Sequence, residues 1–91
     1  MADIDVTHNP DESILDGLGV RQWDIWSKEI SEFPWHYDST ETCYILAGEV
    51  TVIPDGGSEV TIGKGDLVTF AQGLSCTWKI SQPVKKYYRF E

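Results

Sequence analysis

Two stretches of the chain carry the side chains best suited to chemistry. The first runs Phe33-Pro34-Trp35-His36-Tyr37-Asp38-Ser39-Thr40-Glu41-Thr42-Cys43-Tyr44, and the second runs from Gly65-Asp66 to Cys76-Thr77-Trp78. Read with a period of two, Trp35 and Tyr37 share a strand face, as do Glu41 and Cys43, and Cys76 and Trp78 share one on a later strand. Turned inward in a small barrel, these faces enclose an aromatic-walled cavity with a carboxylate, a phenol and two thiols. Three readings fit such a cavity. Glu41 and Cys76, joined by Cys43, would hold a divalent metal, with thiolates favouring zinc or another thiophilic ion. Without a metal, the aromatic faces would stack on a ring or sugar while Glu41 and Tyr37 orient it by hydrogen bonds. In the third reading the thiols and rings fill a core and Glu41 meets backbone donors.

Catalysis asks for more. An enclosed Glu41 suits a general acid or base, which makes it the one catalytic candidate. Cys76 becomes a nucleophile only if a neighbour stabilises its thiolate, and no histidine is placed by sequence to do so. Lys79 follows Trp78 by one residue and so points away from the cavity. His36 sits between Trp35 and Tyr37 and faces outward by the same rule, while Asp38 reads as a turn residue. Serine-hydrolase, phosphate-loop, zinc-protease and Cys-x-x-Cys strings are all missing.

The elements that must position these residues are mostly strands. Short runs rich in β-branched and aromatic residues span 41–47, 49–53, 59–62, 66–70, 75–80 and 84–90. Pro54-Asp55-Gly56-Gly57 and Gly63-Lys64-Gly65-Asp66 read as hairpin turns, and Gly73 and Pro83 punctuate the last third. Residues 20–33 fit both a helical stripe and alternation, and the β-rich context favours strand. Asn9-Pro10-Asp11-Glu12 opens a short helix over about 10–16, closed by Gly17 and Gly19, in an arm that stands apart from the core. These signals predict an all-β fold with a short N-terminal helix: one domain over 1–91, with the arm over 1–19 and an antiparallel β-barrel or jelly roll over 20–91.

The two chemical stretches resemble the paired motifs of cupins. The first family motif sets two metal-binding histidines two residues apart, then a glutamate after a turn, then a glycine seven positions on; Glu41 and Gly48 keep the last spacing. Gly65-Asp66, Ala71-Gln72-Gly73 and Cys76 fall in step with the second motif, which ends on a third metal-binding histidine. Trp23-x-x-Trp26, Phe33-x-Trp35-x-Tyr37-Asp38, Glu41-x-Cys43-Tyr44, Cys76-x-Trp78 and Pro83-Val84-Lys85-Lys86-x-Tyr88 are similar to the small single-domain cupins grouped with the ureidoglycine aminohydrolase and ethanolamine-utilisation cupin domains. The resemblance covers about 23–90 and implies a double-stranded β-helix. Carried across by position, the family's histidines become Trp35, Tyr37 and Cys76, and only Glu41 survives. A longer turn would instead place Pro34 and His36 at the first two positions. Tyr87, Tyr88 and Phe90 near the C-terminus read as edge cover or dimer contact and Trp23 and Trp26 as packing, while the resemblance implies a homodimer.

Composition bounds the rest. Ninety-one residues suffice for one core, and an aromatic fraction of 12% with four Trp is too apolar for a disordered chain. A net charge of -8 disfavours nucleic acid and anionic membrane as partners. No apolar run approaches the length of a membrane span or export signal, and two cysteines suit a reducing compartment, so the expected location is the cytoplasm. The leading expectation is a cupin that binds a small polar or cyclic metabolite without a metal, in a pocket lined by Trp35, Tyr37, Glu41, Cys43, Cys76 and Trp78. The alternatives are a metal-dependent enzyme similar to the ureidoglycine aminohydrolase group, with Glu41 and Cys76 as ligands, and a structural or interaction protein. On the first two, Glu41→Gln abolishes affinity and spares the fold.

Overall fold

Two long strands organise the molecule, and their phase decides what faces inward. In the computed structural model, which describes residues 3–91, the chain forms β1 (Ile4–His8), α1 (Glu12–Leu18), a 3-10 turn (Val20–Gln22), β2 (Asp24–Lys28), β3 (Ser31–His36), β4 (Glu41–Pro54), β5 (Val60–Gly63), β6 (Asp66–Phe70) and β7 (Ser75–Phe90). All pairings are antiparallel, in the order β1-β6-β4-β7-β2, with β3 added on β7 and β5 on β4. The first half of β4 pairs with β6 and the second half with β5; the last part of β7 pairs with β2 and the first part with β3. Each long strand thus serves two groups of partners, and the sheet folds over between them. Phe70 of β6 meets Trp78 of β7 at 5.8 Å between ring centroids, across the fold.

The runs 41–47 and 49–53 form one strand, not two, and so do 75–80 and 84–90. In β4 the buried apolar residues are Cys43 and Ile45, then Val50 and Val52, so their inward phase changes from odd to even. Register shifts between Ile45 and Val50 cause the change, since each bulge adds an unpaired residue. Gly48 lies in this stretch with φ +95°, and a Cβ there would run into the Pro83 carbonyl of β7. Bending at this point needs a residue without a side chain. Strand β7 keeps one phase throughout: Cys76, Trp78, Ile80, Val84 and Lys86 are all buried. Pro83, which lacks an N–H, is accommodated where the ladder with β4 is irregular.

The core joins both halves of the long strands, with Tyr37, Ile45, Val50, Val52, Ile62, Val68, Phe70 and Ile80 in one cluster. Each aliphatic side chain so enclosed contributes roughly 1.5–3 kcal/mol. The N-terminal arm is part of this body: β1 pairs residue by residue with β6, and Ile4 and Val6 pack on the core. Two β-type residues in alternation were too short a signal to mark that strand. His8 Nδ1 lies 2.6 Å from Asp66 Oδ1, fastening the edge. Helix α1 starts two residues later than the Pro10 signal, with Asp11 at its N-cap, and runs through Gly17. It ends at Gly19, whose φ of 69° and N–H bonded to the Asp16 carbonyl close the last turn.

The expected strand over 20–33 is broken into a 3-10 turn, β2 and the start of β3. Of the two turns, 54–57 closes a true hairpin, with Gly57 N–H donating to the Pro54 carbonyl between the paired β4 and β5. The turn at 63–66 does not: β5 and β6 lie on different halves of β4, and the chain crosses between them. There the Asp66 carboxylate accepts the Gly63 N–H at 2.9 Å. The fold is the expected antiparallel β-sheet with a short N-terminal helix, open at its edges.

Candidate functional site: an aromatic cavity over a buried ion pair

Alternation along three strands brings aromatic rings to one place. Strand β3 supplies Phe33 and Trp35 and, just past its end, Tyr37; β2 supplies Trp26; β7 supplies Trp78, Tyr88 and Phe90. They line a cavity of about 170 Å³ whose charged wall residues, among the described residues, are Glu41, at the start of β4, and Lys86 of β7. Trp35 and Phe90 are 45% and 46% exposed, which places them at the mouth. Trp78 and Tyr37 are buried at 2% and 1%, which places them at the depth of the wall.

Glu41 and Lys86 meet inside this wall. Lys86 Nζ donates to Glu41 Oε2 at 2.9 Å, with both side chains almost fully enclosed. The ammonium also lies 4.5 Å from the Trp78 ring centroid, 5.0 Å from that of Trp26 and 6.0 Å from that of Tyr88. Removing two charges from water is costly, and a carboxylate partner plus three electron-rich ring faces offsets that cost. Trp78 Nε1–H donates to Tyr37 Oη at 3.1 Å. Tyr37 in turn stacks on Phe70 at 4.9 Å with 8° between planes. Burial, reinforced by the Glu41 charge, raises the Tyr37 phenol well above its ordinary range, so it stays protonated and keeps an O–H to donate.

The structure brings Trp35, Tyr37, Glu41 and Trp78 together at the cavity. Cys43 and Cys76 lie elsewhere: both are buried and free, and neither lines the cavity. Cys43 stands opposite Tyr88 and Val68 on the ladders, and Cys76 opposite Trp35 and Pro54. Burial pushes the Cys43 thiol up to about 12 and the Cys76 thiol up to about 11, so both are neutral thiols near pH 7. They act as small core residues. His36 faces outward, with Nδ1 2.7 Å from Ser75 Oγ, and Lys79 is exposed. Trp26, Tyr88 and Phe90, read from sequence as packing or edge cover, line the cavity along with Phe33.

Lys86 is the decisive residue that sequence reasoning missed. A signal existed: Lys86 shares the even phase of Cys76, Trp78, Ile80 and Val84. Treating Pro83 as a strand break severed that phase and left Lys86 without an assigned face.

A cupin metal centre does not fit here. Tyr37 and Trp35 replace histidines, the thiols are held protonated, and the one carboxylate is already neutralised by an ammonium 2.9 Å away. Among the described residues no three His, Cys, Asp or Glu side chains converge as metal ligands.

The family described as the EutQ-like cupin domain matches residues 15–88, most of the chain and all of the cavity-lining residues from Trp26 to Tyr88. This chain belongs to the EutQ-like cupins. A DUF861 family protein from Thermotoga maritima is 48% identical over 97% of this chain and 99% of its own, with a TM-score of 0.94. A DUF861 protein of unknown function from Pseudomonas syringae is 28% identical over 74% of this chain and 29% of its own, at a TM-score of 0.67. The EutQ protein of Clostridium difficile is 20% identical over 72% of this chain, and this cupin spans about half (52%) of it at a TM-score of 0.66. No curated protein matches the chain. Among the described residues no helix is long and apolar enough to cross a membrane.

Proposed function

We propose that this EutQ-like cupin binds a small, flat, ring-containing molecule with one polar edge. The observation that carries the reading is the Glu41–Lys86 pair set in an otherwise aromatic wall. About 170 Å³ suits one ring with a short substituent. Trp26, Phe33, Trp35 and Tyr88 offer faces and edges for stacking. A polar edge that accepts from Lys86 and donates to Glu41 satisfies both members of the pair without stripping either of its partner. Tyr37 adds a neutral donor. Recognition of this kind needs no metal, and the charge balance of the wall favours a neutral ligand over an anion or a cation.

Benzamide, benzoate and benzylamine share one ring and differ in the charge of the polar edge, which makes them a direct test by thermal melting. Benzamide is expected to raise the melting temperature most, by mass action on the folded state. Equal shifts for all three, or no shift with any of them, would remove the proposal.

A further inference from the structure

Lys86 carries chemistry that simple ring binding does not use. It is a primary amine 5% exposed, on the wall of a cavity that reaches the surface beside Trp35, with a carboxylate oxygen 2.9 Å from its nitrogen. Resting on the binding reading above, we infer that the Lys86 site captures an aromatic or conjugated aldehyde as a protonated imine, with Glu41 as its proton shuttle.

The geometry supplies each requirement. A lysine is nucleophilic only as the free amine; desolvation penalises its charged form, and a base in contact with it gives the released proton somewhere to go. Here the Lys86 proton passes to Glu41 Oε2 along the existing hydrogen bond, exchanging two enclosed ions for two neutral groups. The nitrogen lone pair then attacks the aldehyde carbon, forming the C–N bond while the carbonyl π pair moves to oxygen. A proton moves from nitrogen to that oxygen and gives a neutral carbinolamine. The Glu41 carboxyl returns its proton to the hydroxyl, which leaves as water as the nitrogen lone pair closes C=N. The balance is one ammonium and one aldehyde giving one iminium and one water, with Glu41 again a carboxylate.

Net charge at the nitrogen is unchanged between reactant and product. The arrangement that holds the ammonium, Glu41 on one side and the rings of Trp78 at 4.5 Å and Trp26 at 5.0 Å on the other, therefore also holds the iminium. The enclosing aromatic wall limits access of bulk water to the C=N bond, which slows hydrolysis. A flat ring on the aldehyde stacks where the wall is aromatic, and an aliphatic chain gains less.

The test treats the intact chain with benzaldehyde and borohydride, which reduces any imine to a stable secondary amine, and maps the benzylated lysine by mass spectrometry. Exposed Lys64, Lys79 and Lys85 serve as internal controls. Labelling of Lys86 is expected to outrun each control by at least roughly tenfold, and Glu41→Gln is expected to slow it at Lys86 alone. Lys86→Arg, which keeps the charge without a primary amine, is expected to leave only the background on the controls. Thermal melts with benzyl alcohol, which fits the cavity but forms no imine, run alongside. Benzaldehyde labelling that falls evenly on the exposed lysines or nowhere overturns the inference, whether or not Lys86→Arg folds. In that case, a melting shift with benzyl alcohol leaves the binding reading standing, and no shift with either compound removes both.

Discussion

Lys86 and Glu41 hold each other where water barely reaches, and each depends on the other for its charge. Replacing one partner leaves an uncompensated ion among aromatic rings, at a cost of about 3–5 kcal/mol, whereas removing both is close to neutral. Lys86→Met and Glu41→Gln are each expected to lower the urea midpoint sharply, and the double variant Glu41→Gln/Lys86→Met to recover most of the loss. A double variant no more stable than either single would show that the pair is not coupled. This revises what sequence alone implied, that Glu41→Gln would spare the fold: the carboxylate was legible from the cupin motif, but its ammonium partner lies 45 residues away on a strand whose phase looked interrupted. The thiols make a second prediction at this scale. Cys43 and Cys76 titrate in the folded protein at about 12 and about 11 against an ordinary 9.0, and Tyr37 is raised in the same sense from 10.0. Below about pH 8 neither state releases these protons to a significant extent, and they leave stability unaffected. Above it the unfolded chain gives up protons that the folded chain retains, so stability falls as pH rises through 11 to 12. Urea midpoints at about pH 8 and about pH 10 should differ, and less so in Cys43→Ala/Cys76→Ala. An equal alkaline loss in that variant would assign the effect to other groups.

The bend in the long strands is what brings the start of β4 and both parts of β7 to the same cavity. Gly48 carries it, at a φ that side chains rarely adopt and against the Pro83 carbonyl. Gly48→Ala is expected to destabilise the protein by about 3 kcal/mol through strain and overlap together. Gly17→Ala is the matched control. Gly17 is helical with nothing within 4 Å of a new Cβ, so the change should add about 0.5–1 kcal/mol. Chemical denaturation of both variants separates the two, and a Gly48→Ala as stable as the parent would contradict the account of the bend. Most strand-forming runs were legible because β-branched and aromatic residues alternate between clear turns. What alternation could not show was continuity: a bulge and a proline inside a strand read locally as breaks, though the ladder passes both. The same locality hid β1, whose five residues are ordered by their pairing with β6 and by the His8–Asp66 contact.

At the scale of the whole molecule, segments far apart in sequence are brought into a shared sheet, and the cavity is a product of that topology. Trp26 and Tyr88 come to one wall because β2 pairs with the end of β7, while Phe33 and Trp35 reach it because β3 pairs with the beginning. Cupin membership was legible from motif spacing in Glu41, Gly48, Gly65-Asp66 and Gly73. The character of the site was legible only in part, since Trp35, Tyr37, Glu41 and Trp78 stood in the motifs while Lys86, Trp26 and Tyr88 take their meaning from packing across strands. The central claim is that an ammonium–carboxylate pair in an aromatic wall selects a neutral, flat ligand. It is tested most directly by quenching of tryptophan fluorescence with benzamide, since Trp26, Trp35 and Trp78 all line the cavity. Saturable quenching is expected, at least about tenfold weaker in Glu41→Gln/Lys86→Met, which keeps the rings and loses the polar pair. Equal affinity in the parent and the double variant, or no saturable quenching in the parent, would contradict it.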